Sequence, residues 1–188
     1  YKNYFITSNY EFIEYKSDDN LFPIKTNIFG KIGFGSRESQ SSTSNQFFAN
    51  INLEHNFYLN QRNIINIRSQ NYYLQSQEYL VNELYRFGGV YSIQGFKEDS
   101  LQGNLFTSIL TEYRYVFTPT LYLNTIIDYG YYQDKSNNSQ GNLYSLGIGL
   151  GLLTKNGLFK LIYAAGSSNN QSLDIKNAIV HVSFKTNF

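Results

Sequence analysis

Cysteine is absent from the 188 residues, which excludes disulfides, thiolate metal sites and cysteine nucleophiles. Charge is scarce: Asp, Glu, Lys and Arg make up 15% of the chain, against about 25% in an ordinary soluble domain. The formal net charge of +1 leaves no strong basic excess of the kind that nucleic acid needs. There is no apolar run of the roughly 18 residues that a transmembrane helix requires. Nor does Tyr1 open a signal peptide, because a charged start followed by an apolar run is missing; the start reads as processed or truncated. There are only two prolines, no tryptophan and no helical heptads.

What is present is unusual in combination. Eighteen Tyr and fifteen Phe raise the aromatic share to 18%, whereas a disordered chain is poor in aromatics. Mean hydropathy is nonetheless negative, because Asn, Gln, Ser, Thr and Tyr supply uncharged polarity. The length allows one domain at most, or part of one.

Period 2 dominates the chain. In 104–117 the odd positions run Leu105, Thr107, Ile109, Thr111, Tyr113, Tyr115 and Phe117, and the even set includes Asn104, Ser108, Glu112 and Arg114. In 121–131 Leu123, Ile127 and Tyr129 oppose Asn124, Asp128 and Gly130. In 143–154 Tyr144, Leu146, Ile148, Leu150 and Leu152 oppose Ser145, Gly147, Gly149 and Gly151. Earlier, Phe47, Ala49, Ile51, Leu53 and Phe57 oppose Asn50, Asn52, Glu54 and Asn56. A helix would scatter these sets around its circumference. The pattern predicts about nine strands, at 3–16, 22–37, 46–59, 62–75, 104–117, 120–133, 142–154, 157–166 and 177–188. Many reach the ~9–11 residues that cross a bilayer when tilted.

Connections alternate in length. Short ones fall at Asn60-Gln61, Thr118-Pro119 and Lys155-Asn156-Gly157, and longer polar ones at Ser36–Asn45, Asp134–Gly141 and Ser167–Lys176. Short turns on one side and long loops on the other describe a transmembrane antiparallel β-barrel. Tyr113, Tyr115, Phe117, Tyr129, Tyr131 and Tyr132 would form an aromatic girdle. A soluble sandwich or lipocalin-like barrel also alternates, but its second face is usually charged, whereas Gly, Ser and Asn here resemble a wet lumen. Single-chain bacterial barrels have even strand numbers, and open edges are not tolerated in lipid. Nine strands therefore imply either a barrel of eight or ten, or the C-terminal part of a larger one.

One segment breaks the alternation. Residues 76–103 carry Leu80, Val81, Leu84, Tyr85, Phe87, Val90, Ile93 and Phe96, too apolar for a solvated loop. Long loops with their own apolar content are usually functional. Gly88-Gly89 and Gly95 would permit the turns and close approach needed to fold inside a lumen.

The run Arg86-Phe87-Gly88-Gly89, followed by Ser92-Ile93-Gln94-Gly95-Phe96, resembles the inward-folded loop of the BamA/TamA-type outer-membrane assembly family. That loop's hallmark is Val or Ile, then Arg, Gly and an aromatic. Five strands follow it, as in the family, and Asp128-Tyr129-Gly130 is similar to the family's Asp-x-Gly. Val180, Val182, Phe184 and Phe188 share one face of the last strand, resembling the C-terminal signal strand of outer-membrane proteins. The resemblance implies that 1–188 is the C-terminal part of a 16-stranded barrel, without its preceding strands and periplasmic POTRA domains. It also implies contact of the loop with acidic wall residues, which Glu112 and Asp128 match by strand and parity, beside Arg114 and Gly130. The family's arginine is Gln94 here. An amide can hydrogen-bond to a carboxylate but brings no charge, so the lock is expected to be weaker. Arg86 or Arg114 is the candidate for the missing cation.

Other constellations carry less. His181-Val182-Ser183 resembles the His-x-Ser spacing of outer-membrane phospholipases, since a serine nucleophile needs an adjacent base, but both residues would face the lumen. His55 falls on the apolar face, and two His without Cys make no metal site. Gly147-x-Gly149-x-Gly151 lacks the strand-to-helix transition of a dinucleotide fingerprint and is read as thinning the lumen wall. Asp18-Asp19-Asn20 is explained by turn chemistry, and Asn137-Asn138-Ser139, formally a glycosylation sequon, is read as a polar loop.

The expectation is therefore a non-enzymatic, multi-pass protein of a Gram-negative outer membrane, with no cofactor or metal. It would help insert other β-barrel proteins by templating their strands at a lateral seam. Its partners would be the lipid bilayer, nascent outer-membrane proteins and accessory lipoproteins, with no nucleic acid. The alternatives are a small passive barrel (a pore, adhesin or anchor) or a secretion pore of the same superfamily.

Overall fold

In the computed structural model, which describes residues 2–38, 43–169 and 171–186, the alternating segments become one antiparallel meander. Its strands are β1 (Lys2–Tyr15), β2 (Ile24–Glu38), β3 (Thr43–Tyr58), β4 (Asn63–Gln75), β7 (Leu105–Thr118), β8 (Leu121–Asp134), β9 (Ser139–Thr154), β10 (Gly157–Ser167) and β11 (Ile179–Thr186). Each pairs with its neighbours in that order. Between β4 and β7, two three-residue strands, β5 (Tyr85–Phe87) and β6 (Leu101–Gly103), pair only with each other. Among the described residues helix is limited to two 3-10 turns, Val81–Glu83 and Ile175–Asn177, and no described helix is long and apolar enough to cross a membrane. Among the described residues β1 and β11 are the unpaired edges, so the sheet is open rather than closed into a barrel.

Strand positions follow the period-2 reading closely, because the alternation is carried by long runs with few interruptions. Two of the expected long loops are shorter than predicted. Ser36–Glu38 pairs with Thr43–Asn45, and Tyr132–Asp134 with Ser139–Gly141, so both hairpins extend beyond the apolar stretch. The polar composition there marks strand tips rather than loops. At the tip of the second hairpin, Asp134 Oδ1 accepts from Ser136 N at 2.9 Å and Asn138 adopts a left-handed φ of 57°. Phe188, expected on the last strand, lies outside the described residues.

The two faces differ in kind. Even positions of β7 and β8 and odd positions of β9 point inward and are mostly buried, including Ser108, Glu112, Asn124, Asp128 and Ser145. The opposite set points outward and is both apolar and exposed: Ile127 at 63%, Leu146 at 55% and Val182 at 62% are representative. The outer set continues through Tyr4, Ile6 and Phe12 of β1, Ile32 and Phe34 of β2, Ile51 and Leu53 of β3, and Ile109 and Tyr113 of β7. The core lies on the inner face, where the 76–104 segment and the β1–β2 hairpin tip fill the concavity in separate clusters.

Candidate functional site

The inner face is occupied from both ends, and the larger occupant is the 76–104 segment. It leaves β4 and closes at its base through the β5–β6 ladder, which pairs Tyr85 with Gly103 and Phe87 with Leu101. Two aromatic stacks continue the ladder onto the wall. Tyr85 stacks on Tyr72 of β4 at 4.8 Å between ring centres, and Phe87 stacks on Phe106 of β7 at 4.0 Å. Burial of Tyr85 raises its phenol above the ordinary value, so it stays protonated. Phe87, Ile93 and Phe96 then join Phe106, Leu110 and Leu143 in one apolar cluster, and Val90 packs on Ile126, Ile162 and Ala164.

Close approach at the apex depends on small residues on both sides. Gly95 has φ +81°, and a Cβ there would lie 2.5 Å from the backbone of Ala165 and Gly166. Gly166 reciprocates, since its Cβ would meet Gly95 O at 2.6 Å. Gly130 of β8 leaves room for the Ile93 side chain above it. Gly88 and Gly89, at φ +104° and +100°, turn the chain so that Glu98 Oε2 accepts from Val90 N at 3.1 Å.

The polar contacts of the apex differ in detail from the expected lock. Gln94 contacts Asp128 with its backbone: the N–H donates to Asp128 Oδ2 at 3.0 Å. Its side chain instead turns back to donate to Val90 O at 3.3 Å. The amide side chain is shorter than that of an arginine, so Gln94 reaches its own turn more readily than the wall. Gly95 N donates to His181 Nε2 of β11 at 3.4 Å, which commits that histidine to the loop rather than to Ser183.

Neither candidate cation reaches Gln94 or Asp128. Arg86 is exposed on β5, pointing away from the buried cluster. Arg114 is buried on the wall, where its guanidinium pairs with Glu112 at 2.8 Å and donates to Asn56 Oδ1 at 3.1 Å. Arg68 of β4 approaches Glu112 from the other side at 3.3 Å. Glu112 is thus held between two guanidiniums rather than offered to the loop.

Sequence reading missed three features. The first is Arg37 of β2, only 3% exposed, whose guanidinium pairs with Glu83 at 2.8 Å and Glu78 at 3.3 Å. Glu83 also accepts from Gln46 Nε2 at 3.0 Å and Asn3 Nδ2 at 3.1 Å, fastening the start of the segment to β1, β2 and β3. The second is Arg68, which donates to Tyr91 O at 3.4 Å as well as to Glu112. The third is the β1–β2 hairpin tip, residues 16–23, which folds inward at the other end of the sheet. Asp19 Oδ1 accepts from Leu21 N and Phe22 N, turning both side chains into a cluster with Ile64 and Tyr122. Phe22 meets Tyr122 edge-on at 4.9 Å and lies under the Arg114 guanidinium at 4.5 Å. An apolar Leu-Phe-Pro run inside a hairpin tip was the available signal.

No group of three or more potential metal ligands is brought together among the described residues. The outward His55 instead hydrogen-bonds Thr26 Oγ1 at 2.9 Å and packs on Phe57. The arrangement is therefore a curved wall with apolar residues outside, ion pairs inside, two inward-folded segments and two unpaired strand edges. No model of a known protein family matches the chain, and no curated protein matches it either.

Proposed function

We propose that the chain is part of an outer-membrane β-barrel that helps insert other β-barrel proteins by pairing a client strand with an exposed sheet edge. The observation that carries this reading is the 76–104 segment, which ties to β1–β3 through Glu83 and to β8, β10 and β11 through Gln94 and Gly95. It braces a sheet whose edges, β1 and β11, keep unpaired backbone groups. In hydrocarbon each unpaired group costs several kcal/mol, so a nascent strand gains free energy by adding to such an edge. The outward apolar face gives the sheet a lipid-compatible surface, and the 13–16 residues of β2, β3, β4, β7, β8 and β9 exceed the bilayer requirement. No covalent chemistry is required. An open passive pore fits less well, because two segments and buried ion pairs fill the inner face.

Site-specific photo-crosslinking in bacteria making the protein tests this reading. A photoreactive residue at Val180 on the β11 edge is expected to capture nascent outer-membrane proteins, and one at Ile148 in the interior strand β9 is not. Equal capture at both positions, or none at Val180, would overturn the templating role.

A further inference from the structure

One cavity on the inner face is lined by more cations than carboxylates. Between the β1–β2 hairpin tip and the apex of the inward segment lies a cavity of about 220 Å³. Arg68, Arg114, Lys160 and Lys185 line it, with Glu54 as the lining carboxylate. Glu112 adjoins it through its pairs with the two arginines. Arg68 and Arg114 thus share Glu112, and among the described residues two of the four cations are left without an ion-pair partner.

The shortage is visible atom by atom. Lys160 and Lys185 form no ion pair among the described residues. Arg68 gives one terminal nitrogen to Glu112 and the other to Tyr91 O, while its Nε is buried with no hydrogen-bond partner. Glu54 stands opposite Arg68 in register but accepts from Asn66 Nδ2 at 2.9 Å instead. Lys160 stands opposite Ser183 in the β10–β11 pairing, which sets an ammonium beside a hydroxyl on the same wall.

We propose that this cavity binds a phosphate group. Like charges gathered around one cavity repel one another, and an anion that accepts several charge-assisted hydrogen bonds relieves that repulsion. A phosphate monoester carries about −1.5 to −2 at neutral pH, which matches the two unbalanced cations, and its oxygens suit a guanidinium N–H, an ammonium and a hydroxyl together. The volume admits phosphate and a small attached group, below the roughly 300–1,000 Å³ typical of larger ligand pockets. The phosphate could be carried by a lipid headgroup or be free in solution. The site does not depend on strand templating at the sheet edges, so crosslinking and anion binding can fail independently.

Calorimetric titration of the full chain, refolded in non-ionic micelles and phosphate-free buffer, tests the proposal. Inorganic phosphate is one probe, and micelles doped with short-chain phosphatidate are the other. Saturable binding of at least one probe is expected, weakened tenfold or more by Lys160→Gln and unchanged by the distant Lys176→Gln. Binding of phosphatidate alone assigns the site to a lipid headgroup; binding of inorganic phosphate assigns it to the free anion. Lys185→Gln, at the exposed rim, gives the same weakening should Lys160→Gln fail to refold. The proposal is overturned if neither probe binds to protein with intact strand circular dichroism. It is also overturned if a folded Lys160→Gln or Lys185→Gln variant binds as tightly as the parent.

Discussion

At the scale of single residues, the inward segment is held by a few contacts whose removal has unequal cost. Arg37 is the most consequential. Its guanidinium is buried, and Glu83 is the carboxylate that compensates it most closely. Deleting one partner of a buried pair leaves an uncompensated charge, at about 3–5 kcal/mol. Glu78, largely exposed and 3.3 Å away, recovers only part of that. Glu83→Ala is accordingly expected to destabilise the refolded protein by a few kcal/mol in a denaturant titration, and Glu78→Ala by less than about 1 kcal/mol. Gly95 fails differently. Alanine at its left-handed φ costs about 1–2 kcal/mol before any clash is counted, and the Ala165–Gly166 backbone blocks the new Cβ. Gly95→Ala should therefore release the apex. Faster trypsin cleavage after Lys97, with strand circular dichroism unchanged, is the readout.

Among elements, the β1–β2 hairpin differs from the other turns at its end of the sheet. The β3–β4 turn is closed by Asn60 Oδ1, which accepts from Arg62 N and Asn63 N, and the β7–β8 and β9–β10 turns are shorter still. Residues 16–23 instead insert Leu21 and Phe22 beneath the sheet. Phe→Ala in such a site costs about 3–5 kcal/mol, so Phe22→Ala should lower stability by that amount and speed trypsin cleavage after Lys16. In the folded protein that lysine lies over the Tyr58 ring.

The same contrast shows what the sequence could reveal. Nine strands were legible because pleat alternation is a local property repeated over 8–16 residues. The β5–β6 ladder was not, because three residues are too few for a period to register. The Gly88, Gly89 and Gly95 turns were legible as glycine, while the Arg37–Glu83 and Arg68–Glu112 pairs join residues 46 and 44 positions apart. Nothing local marks such pairs. Glu112, Arg114 and Asp128 were assigned to the inner wall from parity alone, but parity says which face a residue occupies and not which partner it takes.

For the whole molecule, the decisive property is the outward face. A water-soluble sheet with Ile32, Ile51, Ile109, Ile127, Leu146, Ile148 and Val182 all exposed would present far more contiguous apolar surface than monomeric soluble proteins usually tolerate. The two environments make opposite predictions for one substitution. Ile127 lies mid-strand on β8 and points outward at 63% exposure. In water Ile127→Lys is a surface change of within about 0.5 kcal/mol. At the midplane of a bilayer it costs about 2–4 kcal/mol, falling toward zero near the interfaces. Denaturant unfolding from phospholipid vesicles should therefore show a loss of about 2–4 kcal/mol for Ile127→Lys and almost none for Asn137→Lys at the β8–β9 tip. Equal, negligible losses at both positions would remove the apolar face as a reason to place the sheet in lipid. The depth-dependent difference would fix the membrane normal along the strands and leave the β1 and β11 edges running through hydrocarbon, where pairing is most strongly favoured.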